Sequence, residues 1–176
     1  MYLNTHSRFS LRYGILSVDD ILSWAQTAKV THMALTDVGT TSANWDFVRR
    51  AKGFGVAPVL GIDVRNGNTR CFVALAQHAE GYQALCQWYS KLNLAGSSFP
   101  DRLPATVREA GVTAIYPWSV WRSAHNLGNW SPLSHGEWIG VQAWEVPEVR
   151  LAKADHNPAI GPRLLACLLY TSPSPR

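Results

Sequence analysis

Residues 56–76 read VAPVLGIDVRNGNTRCFVALA, and they decide what kind of fold this chain can form. VAPVLGIDVR is almost continuously apolar, the pattern of a strand covered on both faces. The RNGN that follows is a tight-turn signal, because a glycine there takes a left-handed conformation at no steric cost. The chain then returns as RCFVALA, a second strand. A buried strand with a hairpin partner needs layers above and below it, so the neighbouring segments are expected to supply helices.

They do so on both sides. Upstream, HMALTD (32–37) reads as a strand and TSANWDFVRRAKGFG (41–55) as a helix. Thr41 or Ser42 is its expected opening residue and a glycine its stop; Trp45, Phe47, Val48 and Ala51 are available for its inner face. Before it, SVDDILSWAQTAKV (17–30) is a helix with Ser17 as N-cap and Asp19 and Asp20 in the first turn, where carboxylates favour the positive end of the helix dipole. Ile21, Leu22, Trp24, Ala25 and Ala28 form its expected buried stripe. YLNTH (2–6) opens the chain as a short strand, and GYQALCQWYSKLNL (81–94) is a third helix. Strands alternating with helices imply a largely parallel sheet or barrel, in which ligands gather at the carboxyl ends of the strands.

Beyond residue 95 the pattern weakens. AGSSFPDRLP (95–104) is a loop, ATVREAG (105–111) a short helix and VTAIYPW (112–118) a strand. Residues 118–136, rich in Trp, Ser, Asn and Gly, separate it from a further strand, EWIGVQA (137–143). No internal repeat is present. The last nine residues, LLYTSPSPR (168–176), fit no element; they resemble a translated sequencing-adapter read-through and, failing that, a disordered tail. The organisation expected is therefore one α/β domain over residues 1–167, with 168–176 outside it.

Composition narrows the function classes. The chain has 176 residues, 47% hydrophobic and 16% charged, with a mean hydropathy of −0.09, the profile of one soluble globular domain. No stretch approaches the roughly 18 consecutive apolar residues of a membrane span, so no membrane partner is expected. Cys71, Cys86 and Cys167 are an odd number without C-x-x-C spacing, which points to a reducing, cytoplasmic setting. The net charge of +4 is scattered and fits a phosphate-rich partner and an ordinary basic protein equally. Trp118, Trp121, Trp130, Trp138 and Trp144 crowd the last third; they read first as packing residues and second as a base-stacking surface.

Polar residues fall at three strand ends: Asn4 and His6 on the first, Asp37 on the second, Asp63 on the third. Converging at one mouth, an imidazole and two carboxylates could hold Zn, Mn or Mg. A plainer reading stands beside it, with His6 a satisfied polar residue at a core edge and Asp37 capping the GTTSAN turn. His32 is expected to be exposed, and His78, His125, His135 and His156 share no spacing. Ser7 and Ser10 lack an evident base and orienter. Phosphate-loop, dinucleotide, nucleophile-elbow and zinc-protease motifs are all absent, so no catalytic and no cofactor-binding residue is assigned.

YLNTHSRFSLRYGILS (2–17), MALTDVGTTSANWDFVRRAKGFGVAPVLGIDVRNG (33–67) and FVALAQHAEGYQAL (72–85) together resemble the N-terminal PHP (polymerase and histidinol phosphatase) domain of bacterial DNA polymerase III alpha subunits, the Bacteroidetes-type branch most closely. The resemblance is specific over residues 2–95 and fainter to about residue 150, so residues 96–167 carry it weakly. It implies a distorted (βα)7-type barrel, here incomplete on its C-terminal side. In active members the strand ends hold up to three metals and hydrolyse phosphoesters. This chain departs from that pattern. The first motif, His-x-His, is Asn4-Thr5-His6; an acid before the first turn's glycine is Tyr13; Thr-Asp-His-Gly is Thr36-Asp37-Val38-Gly39. A glutamate in the third strand is Asp63, and a histidine in the next strand falls on Cys71. His6, Asp37, Asp63 and Asn4 are thus read as remnant metal positions of a degenerate site.

The resemblance further implies a parent protein that synthesises DNA with Mg in a separate polymerase domain. It contacts DNA and the other holoenzyme subunits, the proofreading subunit among them. No cofactor is expected in residues 1–176 themselves. The alternative is an active, Zn- or Mn-dependent phosphoesterase, either a 3′-5′ exonuclease or a histidinol-phosphatase-like enzyme.

Overall fold

The computed structural model describes residues 1–126, 133–154 and 164–166. Its strands are β1 (Tyr2–Thr5), β2 (His32–Leu35), β3 (Ala57–Asn66), β4 (Thr69–Ala76), β5 (Val112–Pro117), β6 (Glu137–Val141) and β7 (Leu164–Ala166). They form one seven-stranded sheet in the order in which they occur along the chain. β1, β2 and β3 run parallel, β4 is antiparallel to both β3 and β5, and β5, β6 and β7 are again parallel. The sheet is therefore mixed at its centre, where sequence alternation alone implied a largely parallel one; the cause is the two-residue turn at Gly67-Asn68, which can only join antiparallel strands.

The sheet is curled into a half-barrel. Ala34 from β2, Val73 and Leu75 from β4 and Ile115 from β5 form one cluster with Leu3 and Leu165 at its margin, so the two outermost strands share an inner core. Helices cover the outer face in two groups. α1 (Val18–Thr27) and α2 (Asn44–Ala51) bury Ile21, Leu22, Ala25, Phe47 and Ala51 against Met33 and Leu35. α3 (Ala79–Leu94), α4 (Ala105–Glu109), α5 (Trp118–Asn126) and α6 (Val146–Ala154) lie over the second half, where Phe72, Leu85, Val107, Tyr116, Trp118 and Val149 share a core.

Local chemistry explains the ends of these elements. Ser17 caps α1, as expected, and does so in a capping box with Asp20, each side chain bonding the other's backbone N–H. His78, unassigned by spacing, caps α3 by accepting from Gly81 N at 3.2 Å. Gly55, at φ 71°, ends the turn after α2.

Four expectations need correction. α2 starts after Ala43 with no side-chain cap from Thr41 or Ser42. Trp45 is 76% and Val48 39% exposed, because residues two apart on a helix point in nearly opposite directions and Phe47 holds the inner face. Trp24 and Ala28 are likewise outside the buried stripe of α1. Ala57 and Pro58 of β3 are exposed, so that strand is covered on both faces only from Gly61 to Val64. A helix, α5, occupies part of the Trp-rich stretch; Trp118 and Trp121 stack within the core at 5.3 Å, in agreement with the packing reading, whereas Trp144 is exposed. Residues 168–176 and Trp130 lie outside the described residues.

Candidate functional site

Asn4 in β1, His6 just after it, Asp37 just after β2 and Asp63 inside β3, not at its end, share one buried region, each at most 1% exposed. Asp37 follows β2 and faces the loop that leaves β1. Its Oδ1 accepts from Ser7 N and Ser10 Oγ, both at 2.6 Å, and its Oδ2 accepts from Ser7 Oγ at 2.6 Å. Ser10 Oγ in turn accepts from Val38 N at 2.9 Å. Asp37 therefore pins the loop after β1, rather than capping the turn into α2. The loop is compact enough that a Cβ on Gly14 would sit 2.0 Å from the Ser7 carbonyl oxygen. Asn4 Oδ1 accepts from Thr36 Oγ1 at 2.6 Å. Asn4 Nδ2 and His6 Nδ1 find no hydrogen-bond partner among the described residues.

Asp63 is the centre of the arrangement. His6 Nε2 lies 3.1 Å from its Oδ2. Arg65 binds it with two nitrogens, at 3.0 and 2.9 Å, and Arg70 donates from Nε and, at 2.6 Å, from Nη2. Burial pushes the Asp63 carboxyl up, but the hydrogen bonds from His6 and Arg65 and the charge of Arg70 outweigh it and hold it at about 2. Tyr13 lies beside the cluster, with the Arg65 guanidinium 4.0 Å over its ring and a T-shaped contact with the His6 ring.

The hairpin geometry explains how two arginines reach one carboxylate. Asp63 and Arg65 are two apart on β3 and so share its inner face. Regular pairing would set Cys71 against Arg65 and send Arg70 to the other face. Instead Val64 pairs with Phe72 and Arg65 with Arg70, the register shifting between them. Cys71 is the extra residue of a bulge, and the bulge turns Arg70 onto the face of Asp63. Cys71 itself joins the helix-covered core, where burial raises its thiol above the ordinary range. The position of the expected motif histidine thus does not face the site.

The ligand atoms of this donor set are already engaged. Among the described residues no three His, Cys, Asp or Glu side chains form a group able to hold one. The chemistry agrees: both Asp63 oxygens are engaged by guanidinium nitrogens, and two fixed cations oppose a third at that point. Both Asp37 oxygens are taken by N–H and O–H donors, Asn4 carries no charge, and Val38 offers no ligand atom. Arg65 and Arg70 were the residues the spacing argument missed. Their signal was present in R-N-G-N-T-R, an arginine on each side of a turn following an aspartate, but only the bulge makes it legible.

A second buried carboxylate, Glu137 at the start of β6, accepts from Arg102 at 2.8 and 2.6 Å, Tyr116 Oη at 2.9 Å and Ser134 N at 2.8 Å. Burial pushes it up, but Arg102 and the Ser134 amide hold it below the usual carboxylate range. It sits with Tyr116 under the helix layer and joins that layer to the sheet.

The description of the PHP domain matches residues 3–126. The chain belongs to the PHP-domain family. The match runs beyond residue 95 and so includes α4, β5 and α5. Among curated proteins, this PHP domain is 33% identical over 88 residues to a DNA polymerase III subunit alpha from Ureaplasma parvum, covering 50% of this chain and 9% of that one. It is 29% identical over 117 residues to the subunit of the same name from Borreliella burgdorferi, covering 58% and 10%. The chain thus spans about a tenth of the length of these relatives. An amidohydrolase from Chromobacterium violaceum superposes with a TM-score of 0.51 at 13% identity, over 80% of this chain and 75% of that one, which bears on the barrel-like fold alone. Among the described residues no helix is long and apolar enough to cross a membrane.

Proposed function

We propose that this PHP domain serves a DNA polymerase III alpha subunit as a non-catalytic structural and docking module in the cytoplasm. DNA synthesis, with its Mg, is the work of a separate domain of that parent. The observation that supports the reading is the occupation of Asp63 by Arg65, Arg70 and His6. Where an active phosphoesterase needs ligands for cations, this domain supplies cations of its own. The ion pairs tie β1, β3 and β4 together, a role that stabilises fold without turnover. Its partners on this reading are other holoenzyme subunits, the proofreading subunit among them, and DNA is reached through the parent.

The test has two parts. Purified protein equilibrated with Zn or Mn and desalted should retain well below one equivalent by elemental analysis. One full equivalent that disappears in His6→Ala and Asp37→Ala would overturn the reading in favour of a metal-dependent phosphoesterase. Excising the domain from the parent subunit should weaken its association with the proofreading subunit; unchanged association would refute the docking role.

A further inference from the structure

The RNGN turn carries chemistry that the hairpin itself does not need. Asn66 is the one asparagine of the chain followed directly by glycine, and its carboxamide is fastened at both ends. Oδ1 accepts from Phe99 N and Nδ2 donates to Phe99 O, each at 2.8 Å. A side chain here makes the two-bond exchange of a residue pair in a β-ladder. We propose that Asn66 is a self-modification site: its amide is the latch of the 95–104 loop, and opening of that loop exposes the amide to irreversible conversion into a carboxylate that cannot refasten.

The nucleophile is already in place. Gly67 occupies the first central position of the two-residue turn with φ 59°, the conformation glycine adopts there without strain. Its N–H makes no hydrogen bond among the described residues, and a Cβ on it would meet nothing within 4 Å, so the nitrogen is open to water and base. The electrophile, Asn66 Cγ, is held to Phe99 while the latch is closed. Once the loop lets go, the side chain can rotate and the deprotonated Gly67 nitrogen can close on Cγ. The Gly67 N–Cγ bond forms, the Cγ–Nδ2 bond breaks, and Nδ2 leaves as ammonia with the proton that Gly67 lost. Water then adds to either carbonyl of the resulting imide. Opening at one carbonyl gives aspartate; opening at the other gives isoaspartate, with an extra methylene in the main chain. Nothing is oxidised or reduced, and solvent water is the only co-reactant.

The product is incompatible with the closed loop. A carboxylate has no N–H to give, so the oxygen that replaces Nδ2 faces the Phe99 carbonyl oxygen, acceptor against acceptor. The other neighbour of Nδ2, Cys71 Sγ at 3.4 Å, is a weak donor at most. The loop depends on this point of attachment, because residues 95–98 are exposed and Phe99 is the first to turn inward, stacking on Tyr89 at 4.6 Å and lying 5.9 Å from Trp88. Conversion therefore frees an apolar ring together with its loop.

The experiment incubates the full chain at mildly alkaline pH, folded and in urea, and follows each asparagine by peptide mapping with an isoaspartyl methyltransferase assay. In urea, Asn66 should convert before any other asparagine. In the folded chain the same site should convert about tenfold more slowly or less, since the loop must open first. Phe99→Ala loosens the loop without touching Asn66 and should bring the folded rate toward the urea rate. Asn66→Asp, the product itself, should accelerate amide exchange at Phe99 about tenfold while Ala114 and Ile115 in β5 stay unchanged. Equal rates in folded and unfolded wild type overturn the latch, and that comparison depends on no variant. Earlier conversion at another asparagine in urea, or no conversion at Asn66 in folded Phe99→Ala, overturns the site. Unchanged exchange at Phe99 in Asn66→Asp overturns the release of the loop.

Discussion

Asp63→Asn is the substitution that asks most of the ion-pair cluster. It keeps the shape of the side chain and removes its charge, leaving Arg65 and Arg70 opposed across the hairpin with nothing between them. Breaking a buried pair from one side costs about 3–5 kcal/mol. The arginines here keep some contact with solvent, at 9% and 14% exposure, which places the expected loss near the lower end, at about 3 kcal/mol. An independent route gives a similar size. The Asp63 carboxyl is held at about 2 against an ordinary 3.8, and at about 1.4 kcal/mol per pH unit the ionised form contributes on the order of 2 kcal/mol. Because the folded value is depressed, this contribution is complete above 3.8 and is lost as pH falls toward 2. Urea unfolding of wild type and variant should therefore differ by about 2–3 kcal/mol near neutral pH. The gap should narrow as the pH falls through that window, with no effect of EDTA. A variant within about 0.5 kcal/mol of wild type, or a gap that EDTA abolishes, would refute the reasoning.

The loop after β1 yields two further expectations. Ser10→Ala removes a donor to Asp37 and the acceptor of Val38 N, leaving the buried Asp37 and the half-buried Val38 N–H under-satisfied, and should cost about 1–3 kcal/mol of stability, read as a lower denaturant midpoint at constant slope. Gly14→Ala forces a Cβ to within 2.0 Å of the Ser7 carbonyl; the loop must then open, and amide exchange at Ser7 and Val38 should accelerate at least tenfold while that of β4 stays unchanged.

Much of this fold could be read from local chemistry. The Gly67 turn, the Ser17 cap with its reciprocal Asp20 and the buried run of Ile62 and Val64 are all short-range features, and each element they imply is present. Proximity of His6 and Asp37 followed from the ends of β1 and β2 lying side by side, whereas Asp63 reaches them from inside β3. The errors have geometric causes. Trp45 and Phe47 are both apolar, but residues two apart on a helix are separated by about 200°, and apolarity alone does not say which one turns inward. Trp24 lies off the stripe of Ile21, Leu22 and Ala25 for the same reason. Arg70 was invisible because strict alternation places it opposite the face it occupies; a single extra residue in β4 inverts that, and no period in the sequence announces the extra residue. Glu137 escaped notice because its partners Arg102 and Tyr116 are distant in sequence and meet it only when α4 folds over β5 and β6.

The order of the strands also shapes how this domain folds. Among the described residues every strand pairs with its immediate predecessor in the chain, so no pairing waits for a distant segment to arrive. Loop closure then runs only between neighbours in the chain, the widest interval being that from Ala76 to Val112, and its entropic cost rises only slowly with length. The β3–β4 hairpin, closed by only two residues, is the shortest of these closures. Its pairing alone sets Arg65 and Arg70 on Asp63, without any contact from β1. The charged cluster is thus contained within one hairpin, with His6 the one member that comes from a distant part of the chain.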